Sequence, residues 1–361
     1  MIKDQKDLKE KRGKWWEERL GWQAIITFLR QKKVPRSEHT IWLYTGSLIL
    51  LFLAIQVITG IVLALYYKPT VAEANESVRR IMTEVPLGWI IRSLHFWSAT
   101  GMIATVFVHM ISIWLLKSYR RPRELTWMTG VLLLILTLGF GFTGYLLPWD
   151  ELSLAATKVG TDIPRVIPFV GSWISKFLRG GDDVGPDTLT RFYLFHICVL
   201  PLLIFLVIGF HIFLIQKLGI SQPLKYELKG IKVPEIPFWP DFVLRESRVW
   251  LIAVGLLITV AIFLPRGLGP QADMMAPTPT GIKPEWYFLF LFQTLKLFPA
   301  QILFISGESL AILIVLFFLV LFFFLPLIDN QPGGKKGRII TFVSLVIIIY
   351  AVAMTIWSLV E

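Results

Sequence analysis

The metal-ligating chemistry open to this chain rests on five histidines, His39, His95, His109, His196 and His211. Its one cysteine, Cys198, excludes an internal disulfide and any multi-cysteine metal site. Four of the histidines fall inside apolar stretches, His95 and His109 separated by 14 positions and His196 and His211 by 15. At about 1.5 Å per residue each pair spans roughly 21–22 Å along a helix. Fourteen residues is close to four turns, so His95 and His109 lie within about 40° of one face, whereas 15 residues misses by about 60° the other way. Two such helices can present two imidazoles at each of two depths, His95 with His196 and His109 with His211. Imidazoles on facing helices of a bundle suit the axial positions of iron in a buried porphyrin. Zinc fits less well, because neither level supplies a third or fourth ligand. A lone intramembrane histidine reads as a hydrogen-bonding or proton-relay residue; four at matched depth favour iron. His39 has no counterpart and reads as an interfacial residue.

Glycines repeat the spacing. Gly46 and Gly60, and again Gly130 and Gly144, are 14 apart. Gly46 and Gly130 are expected level with His109 and His211, Gly60 and Gly144 level with His95 and His196. Glycine lets a bulky flat ring approach the backbone; small residues for helix packing are the alternative. A porphyrin also brings two propionates that need cations at the membrane edge. Arg92 and Arg191 stand before His95 and His196 at one rim, and Arg120, Arg121 and Arg123 offer the same at the other, where ordinary topogenic charge explains them equally well.

These residues must be positioned by membrane-spanning helices. The chain is 55% hydrophobic and only 17% charged, which excludes a disordered or fibrous protein and argues against a water-soluble enzyme. A span needs roughly 20 apolar residues, and seven segments approach that length: 41–67, 94–116, 127–147, 192–215, 249–265, 309–328 and 339–360. The expected fold is all-α and polytopic, a four-helix haem-binding bundle followed by three further spans. The segments 1–40, 117–126, 217–248 and 329–338 hold 11, 4, 6 and 3 of the 36 basic residues. These alternate connections therefore face the negative side, with the N-terminus cytoplasmic and the C-terminus on the positive side. The net charge of +11 is then mostly a topological label and gives no support to nucleic-acid binding. Residues 1–38 are charged throughout, which disfavours a cleavable signal peptide. Within them Trp16, Leu20, Ala24 and Phe28 recur at i, i+4, as in an amphipathic helix lying on the membrane; a solvated basic arm is the alternative. Two long connections face the positive side: 148–191, rich in acidic residues, and 266–308. In the second, Trp286 to Phe298 is 13 residues long, too short to span and therefore interfacial or buried, as segments that line sites often are. The domains expected are a basic N-terminal segment 1–38, a dihaem-binding domain 39–216, a basic connecting loop 217–248, and a C-terminal three-helix domain 249–361.

The histidine pairs, the paired glycines, Pro122-Arg123-Glu124-Leu125-Thr126-Trp127, Gly144-Tyr145-Leu146-Leu147-Pro148-Trp149-Asp150 and Pro284-Glu285-Trp286-Tyr287 together resemble cytochrome b, the membrane subunit of quinol-oxidising cytochrome bc and bf complexes. The resemblance runs from about Val34 to the end of the chain. The 15-residue histidine step and the absence of an eighth span look like the bf type, in which two polypeptides, cytochrome b6 and subunit IV, divide the work of this chain. The join would fall near 217–248.

The resemblance implies two non-covalent b haems, His95 and His196 ligating the one on the positive side and His109 and His211 the one on the negative side. It implies that quinol is oxidised in a positive-side pocket formed by Pro284, Glu285, Trp286 and Tyr287 with Tyr145 and Pro148. One electron would go to a Rieske iron–sulfur protein and onward to a cytochrome c-type or plastocyanin-like acceptor. The other would cross both haems to a quinone on the negative side, building a proton gradient. A homodimer in an energy-transducing membrane, embedded in lipid, is also implied. Chemically, quinol oxidation needs a proton acceptor. Glu285 is the candidate, at the edge of an apolar segment where burial raises a carboxylate's pKa; an acid favoured at a helix N-terminus is the other reading. Tyr145 could hydrogen-bond or shape the pocket.

Two positions depart from the bf pattern. Tyr44 stands where that type has a cysteine attaching an extra haem, so no covalent haem is expected; Cys198, inside the fourth span, is misplaced for that role. Gln216 beside Lys217 replaces an arginine, which leaves the negative-side quinone site unassigned. Two other classes compete. The dihaem anchor of a membrane dehydrogenase would need neither the Glu285 segment nor the acidic excursion, and a transporter with a histidine proton relay would hold no iron.

Overall fold

A computed structural model describes residues 15–37, 39–276, 281–329 and 333–361. Within them the chain is helical almost throughout. Helix α1 (Trp22–Gln31) is followed by α2 (Thr40–Ala64), α3 (Ala74–Thr83), α4 (Gly88–Leu115) and α5 (Glu124–Leu146). Then come α6 (Glu151–Asp162), α7 (Gly171–Arg179), α8 (Pro186–Leu218), α9 (Phe238–Phe263), α10 (Leu289–Leu297), α11 (Gly307–Phe323) and α12 (Lys335–Val360).

Six of these, α2, α4, α5, α8, α9 and α12, are long and apolar enough to cross a membrane. The protein is an integral membrane protein. Where a sixth of seven spans is expected over 309–328, the structure has α11, with 17 residues, and then a separate short helix Leu325–Ile328. Pro326 marks the break, since it cannot donate to the preceding turn. The expected fifth span, 249–265, begins earlier than hydropathy indicates. Regular helix starts at Val243, so Arg245, Glu246 and Arg248 lie inside its first turns. Charged residues end an apolar run without ending a helix, because they solvate at the membrane edge while the backbone continues.

The amphipathic N-terminal stretch is broken by Gly21, which adopts φ +56°. Residues 15–20 and α1 on either side of it expose Trp15, Trp16, Leu20, Trp22, Ile25 and Phe28. A two-stranded ribbon, β1 (Lys33–Pro35) against β2 (Glu235–Pro237), ties this region to the segment entering α9. A second small hairpin pairs Gln301–Ile302 with Ile305–Ser306 before α11.

Helices α2, α4, α5 and α8 form the bundle that carries the histidines, α4 and α8 running in one direction and α2 and α5 in the other. Their closest packing is α2 on α4 and α5 on α8. At the end of the bundle nearer His95 and His196, α6, α7 and the start of α8 enclose Leu146, Trp149, Leu154, Leu189 and Phe192. Asp150 caps α6 by accepting from the Ser153 amide at 2.8 Å. At the opposite end a buried charge cluster joins the connection after α4 to the residue following Leu325–Ile328. Lys117 Nζ lies 2.9 Å from Asp329 Oδ2, which also accepts from the Tyr119 hydroxyl at 2.5 Å.

The 15-residue step in α8 is reconciled by its local geometry. Phe195–Val199 form a π-helical turn, which takes up one residue more than an α-turn. Pro201, two residues beyond that turn, supplies the cause: it has no N–H, and its ring crowds the carbonyl four residues back, at Ile197. The helix therefore turns as though 14 residues separated His196 from His211. Its offset becomes the same 40° or so found in α4, not about 60° in the opposite sense.

Candidate haem and quinol site

Each of the four intramembrane histidines is held by the same two-residue device. Thr59 Oγ1 lies 2.8 Å from His95 Nδ1 and Thr45 Oγ1 2.8 Å from His109 Nδ1, both from α2. From α5, Thr143 Oγ1 lies 3.0 Å from His196 Nδ1 and Thr129 Oγ1 2.8 Å from His211 Nδ1. The single proton of each hydroxyl is already directed at a backbone carbonyl: Ile55 for Thr59, Trp42 for Thr45, Gly139 for Thr143 and Leu125 for Thr129. Each threonine oxygen is thus left to accept, and Nδ1 must be the protonated nitrogen. That tautomer leaves Nε2 with a free lone pair, the state a metal ligand requires.

The residue after each threonine is one of the four glycines. A Cβ at Gly60 would stand 3.3 Å from His95 Cε1, and one at Gly144 only 2.7 Å from His196 Cε1. At Gly46 and Gly130 the corresponding distances to His109 and His211 are 3.5 and 3.6 Å. Each glycine thus lies against the imidazole of its level, most tightly at Gly144. Among the described residues no three His, Cys, Asp or Glu side chains converge on one point; His95 lies within electrostatic reach of His196, and His109 of His211. The rings of His95 and His196 have centroids 6.4 Å apart. Metal–nitrogen bonds of about 2 Å on each side, plus the half-width of each ring, would place two axial imidazoles about 6 Å apart. The pair fits iron between them.

The arginines expected at the rims lie close to their levels with backbone partners. Arg92 donates to the carbonyls of Arg266 and Gly267 and to Met82 Sδ. Arg191 donates to the Phe177 carbonyl and lies over its ring. Arg123 donates to Leu218 O at 3.1 Å, while its buried Nε has no protein partner. His39 lies 6.3 Å from Tyr226, ring to ring. Tyr44 packs on Phe242, and Cys198 is exposed on α8.

The segment 284–287 docks on α5 and α4. Tyr287 is buried and reaches Gly141, where a Cβ would stand 2.7 Å from its hydroxyl oxygen. Trp286 packs edge-on to Phe107. Glu285 begins the short 3-10 helix Trp286–Phe288, yet its carboxylate makes no capping bond. It pairs instead with Arg266, Nη2 to Oε1 at 3.2 Å, and the same guanidinium hydrogen-bonds Tyr145. Glu285 thus stands at a helix N-terminus, with its carboxylate turned to Arg266 and not to the helix amides. Burial pushes its carboxyl above the usual carboxylate range, and Arg266 pulls the other way. Pro148 lies at the edge of this region, its carbonyl accepting from Asn75 at 3.1 Å.

Sequence reasoning missed Arg266 and the four threonines. The Thr-Gly dipeptide, repeated at four matched depths, was a legible signal. Arg266 was marked more faintly, as a cation placed on the side where basic residues are scarce. At the end of α8 nearer His211, Gln216 accepts from Lys32 at 2.6 Å, beside a cavity of about 280 Å³ lined also by Phe28, Gln31, Ile215 and Ile220.

Comparison with known proteins gives concordant matches. Residues 30–219 match the family described as cytochrome b/b6/petB, and residues 271–360 that described as cytochrome b (C-terminal)/b6/petD. The chain is 43% identical over 343 residues to the cytochrome bc complex cytochrome b subunit of Chlorobaculum thiosulfatiphilum, covering 94% of this chain and 79% of that one. It is 48% identical over 210 residues to cytochrome b6 of Gloeobacter violaceus, covering 58% of this chain and 97% of the relative. A solved structure titled hyperthermophilic respiratory Complex III superposes with a TM-score of 0.83 at 31% identity, over 96% of this chain and 90% of that one.

Proposed function

The chain belongs to the cytochrome b/b6 family and is an electron-transfer subunit of a cytochrome bc-type oxidoreductase, and from that premise we propose that it oxidises quinol on the positive side of its membrane and reduces quinone on the negative side. The observation that carries this reading is the double set of facing imidazoles, each with Nδ1 engaged by a threonine and Nε2 free. Two b haems, held non-covalently by His95 with His196 and by His109 with His211, would supply when bound a one-electron path across the bilayer.

The chain's own residues do the rest. Glu285 takes a proton from the quinol hydroxyl, its raised affinity bringing it nearer the working pH of a general base. Tyr145 and Tyr287 close the pocket around the head group, and Tyr287, whose hydroxyl burial keeps protonated, can donate a hydrogen bond. Arg92, Arg191 and Arg123 are the cations offered to the propionates at the two levels. Lys32 and Gln216, beside the negative-side cavity, offer a donor and an amide to a quinone carbonyl there. A Rieske protein and a cytochrome c-type subunit take the outgoing electron, and the chain pairs with a second copy in lipid. It spans the bilayer seven times, counting α11, with the N-terminus on the negative side and the C-terminus on the positive. The basic segment 1–38, dihaem domain 39–216, connecting loop 217–248 and C-terminal domain 249–361 are its units; residues 1–14 lie outside those described.

The test is Glu285→Gln in the assembled complex. Quinol oxidation should slow at least tenfold with both haems retained, and the acid limb of the pH–rate profile, where the wild type loses its base as pH falls, should disappear. Unchanged turnover would remove Glu285 from the proton path.

A further inference from the structure

We propose that Arg266 is the positioning residue of the positive-side carboxylate, turning the Glu285 side chain away from the amides of the helix it begins and holding it beside Tyr145 in its ionised, proton-accepting form. The proposal rests on the reading of Glu285 as the proton acceptor, and it adds the group that sets that acceptor's orientation and affinity.

The geometry is a clamp built from one stretch of α4. Trp97 Nε1 donates to the Leu264 carbonyl at 2.7 Å, and Ser93 Oγ accepts from the Arg266 amide at 3.1 Å. Arg92 donates to the carbonyls of Arg266 and Gly267. Three side chains thus fix the backbone where α9 ends and an irregular connection begins, a place where chain is ordinarily mobile. Phe96, from the same stretch, lies 4.4 Å beneath the guanidinium. Held at its backbone and across its face, Arg266 has its Nη2 aimed at Glu285 Oε1. No stability role requires this. Arg266 is 38% exposed at its side chain and Glu285 17%, so the pair is partly screened and contributes little to folding. Its consequence falls on the carboxylate, which is offered a cation in place of the free amides of its own helix.

The charged and titratable groups around Glu285 are few. Arg266 faces it directly, Tyr145 approaches from α5 and Tyr287 from its own segment. Asp150 and Arg92 stand further back, acting on Tyr145 and on each other. Among them Arg266 is the group that favours the ionised carboxylate. Without it burial alone would act, and the proton would bind more tightly.

In the assembled complex, Arg266→Gln should move the acid limb of kcat/KM for quinol oxidation upward by about one pH unit. Arg266→Lys, which keeps charge but not the planar fork, should move it by less. Haem content and the reduced spectrum should be unchanged in both. In a Glu285→Gln background, Arg266→Gln should have no further effect, since it acts through that carboxylate. A limb that stays at the wild-type position in both Arg266 variants, while Glu285→Gln remains slow, would overturn the proposal and leave the role of Glu285 standing. Wild-type turnover and pH profile in Glu285→Gln would overturn both. Should Arg266→Gln not assemble, the lysine variant carries the same test.

Discussion

The two histidine levels are built to one plan at two tolerances. Both use a Thr-Gly pair on a neighbouring helix, the threonine fixing Nδ1 and the glycine lying against the ring. At the His95–His196 level a methyl group at Gly144 would stand 2.7 Å from His196 and one at Gly60 3.3 Å from His95. At the His109–His211 level the same addition would meet its imidazole at 3.5 and 3.6 Å, ordinary van der Waals contact. The tighter level lies beside the segment that holds Glu285, where Gly141 admits Tyr287 as closely as Gly144 admits His196. The looser level lies beside the Lys117–Asp329 cluster, which fastens that end by charge. Close glycine contacts mark the first end; at the second, a buried ion pair sits beside a packed cluster that includes Trp114, Tyr119, Trp127 and Leu325.

This contrast can be broken at several points. The largest effect is expected from Lys117→Met, which strands Asp329, a fully buried carboxylate; loss of about 3–5 kcal/mol follows when one partner of a buried pair is removed. Thermal unfolding in detergent should show it, and adding Asp329→Leu should recover most of the loss. No recovery would mean that the cluster does more than pair charges. Next comes Gly144→Ala, where overpacking of about 1–3 kcal/mol falls directly on a haem ligand. Haem should drop to about one per chain, whereas Gly130→Ala should keep both. Equal loss in the two variants would erase the difference in tolerance. The smallest effects come from Thr59→Val and Thr45→Val, at the two histidines whose rings have no backbone hydrogen bond to fall back on. Each removes the acceptor for one Nδ1–H and should weaken its haem roughly tenfold, with the midpoint potential raised as the imidazole loses basicity. Redox titration separates the two levels, and unmoved potentials would deny the threonines their role.

Much of this was legible in the sequence because depth in a membrane is nearly one-dimensional. Spacing along a helix converts directly into height, so the histidines and glycines could be assigned to levels before any contact was known. What needed three dimensions was less visible. The π-turn at Phe195–Val199 depends on how Pro201 is relieved inside a packed helix, and spacing alone gave the wrong angular sense for His211. The start of α9 was misjudged because Arg245, Glu246 and Arg248 interrupt hydropathy without interrupting the helix. Arg266 is brought to Glu285 by three side chains of α4, and no local pattern records that.

The central claim is that four histidines, each presenting a free Nε2, bind two haems of the b type. A reduced-minus-oxidised spectrum of the purified chain, with iron and protein measured on the same sample, tests it most directly. Two non-covalent b haems per chain are predicted; no b-type signal, or iron well below two per chain, would contradict it.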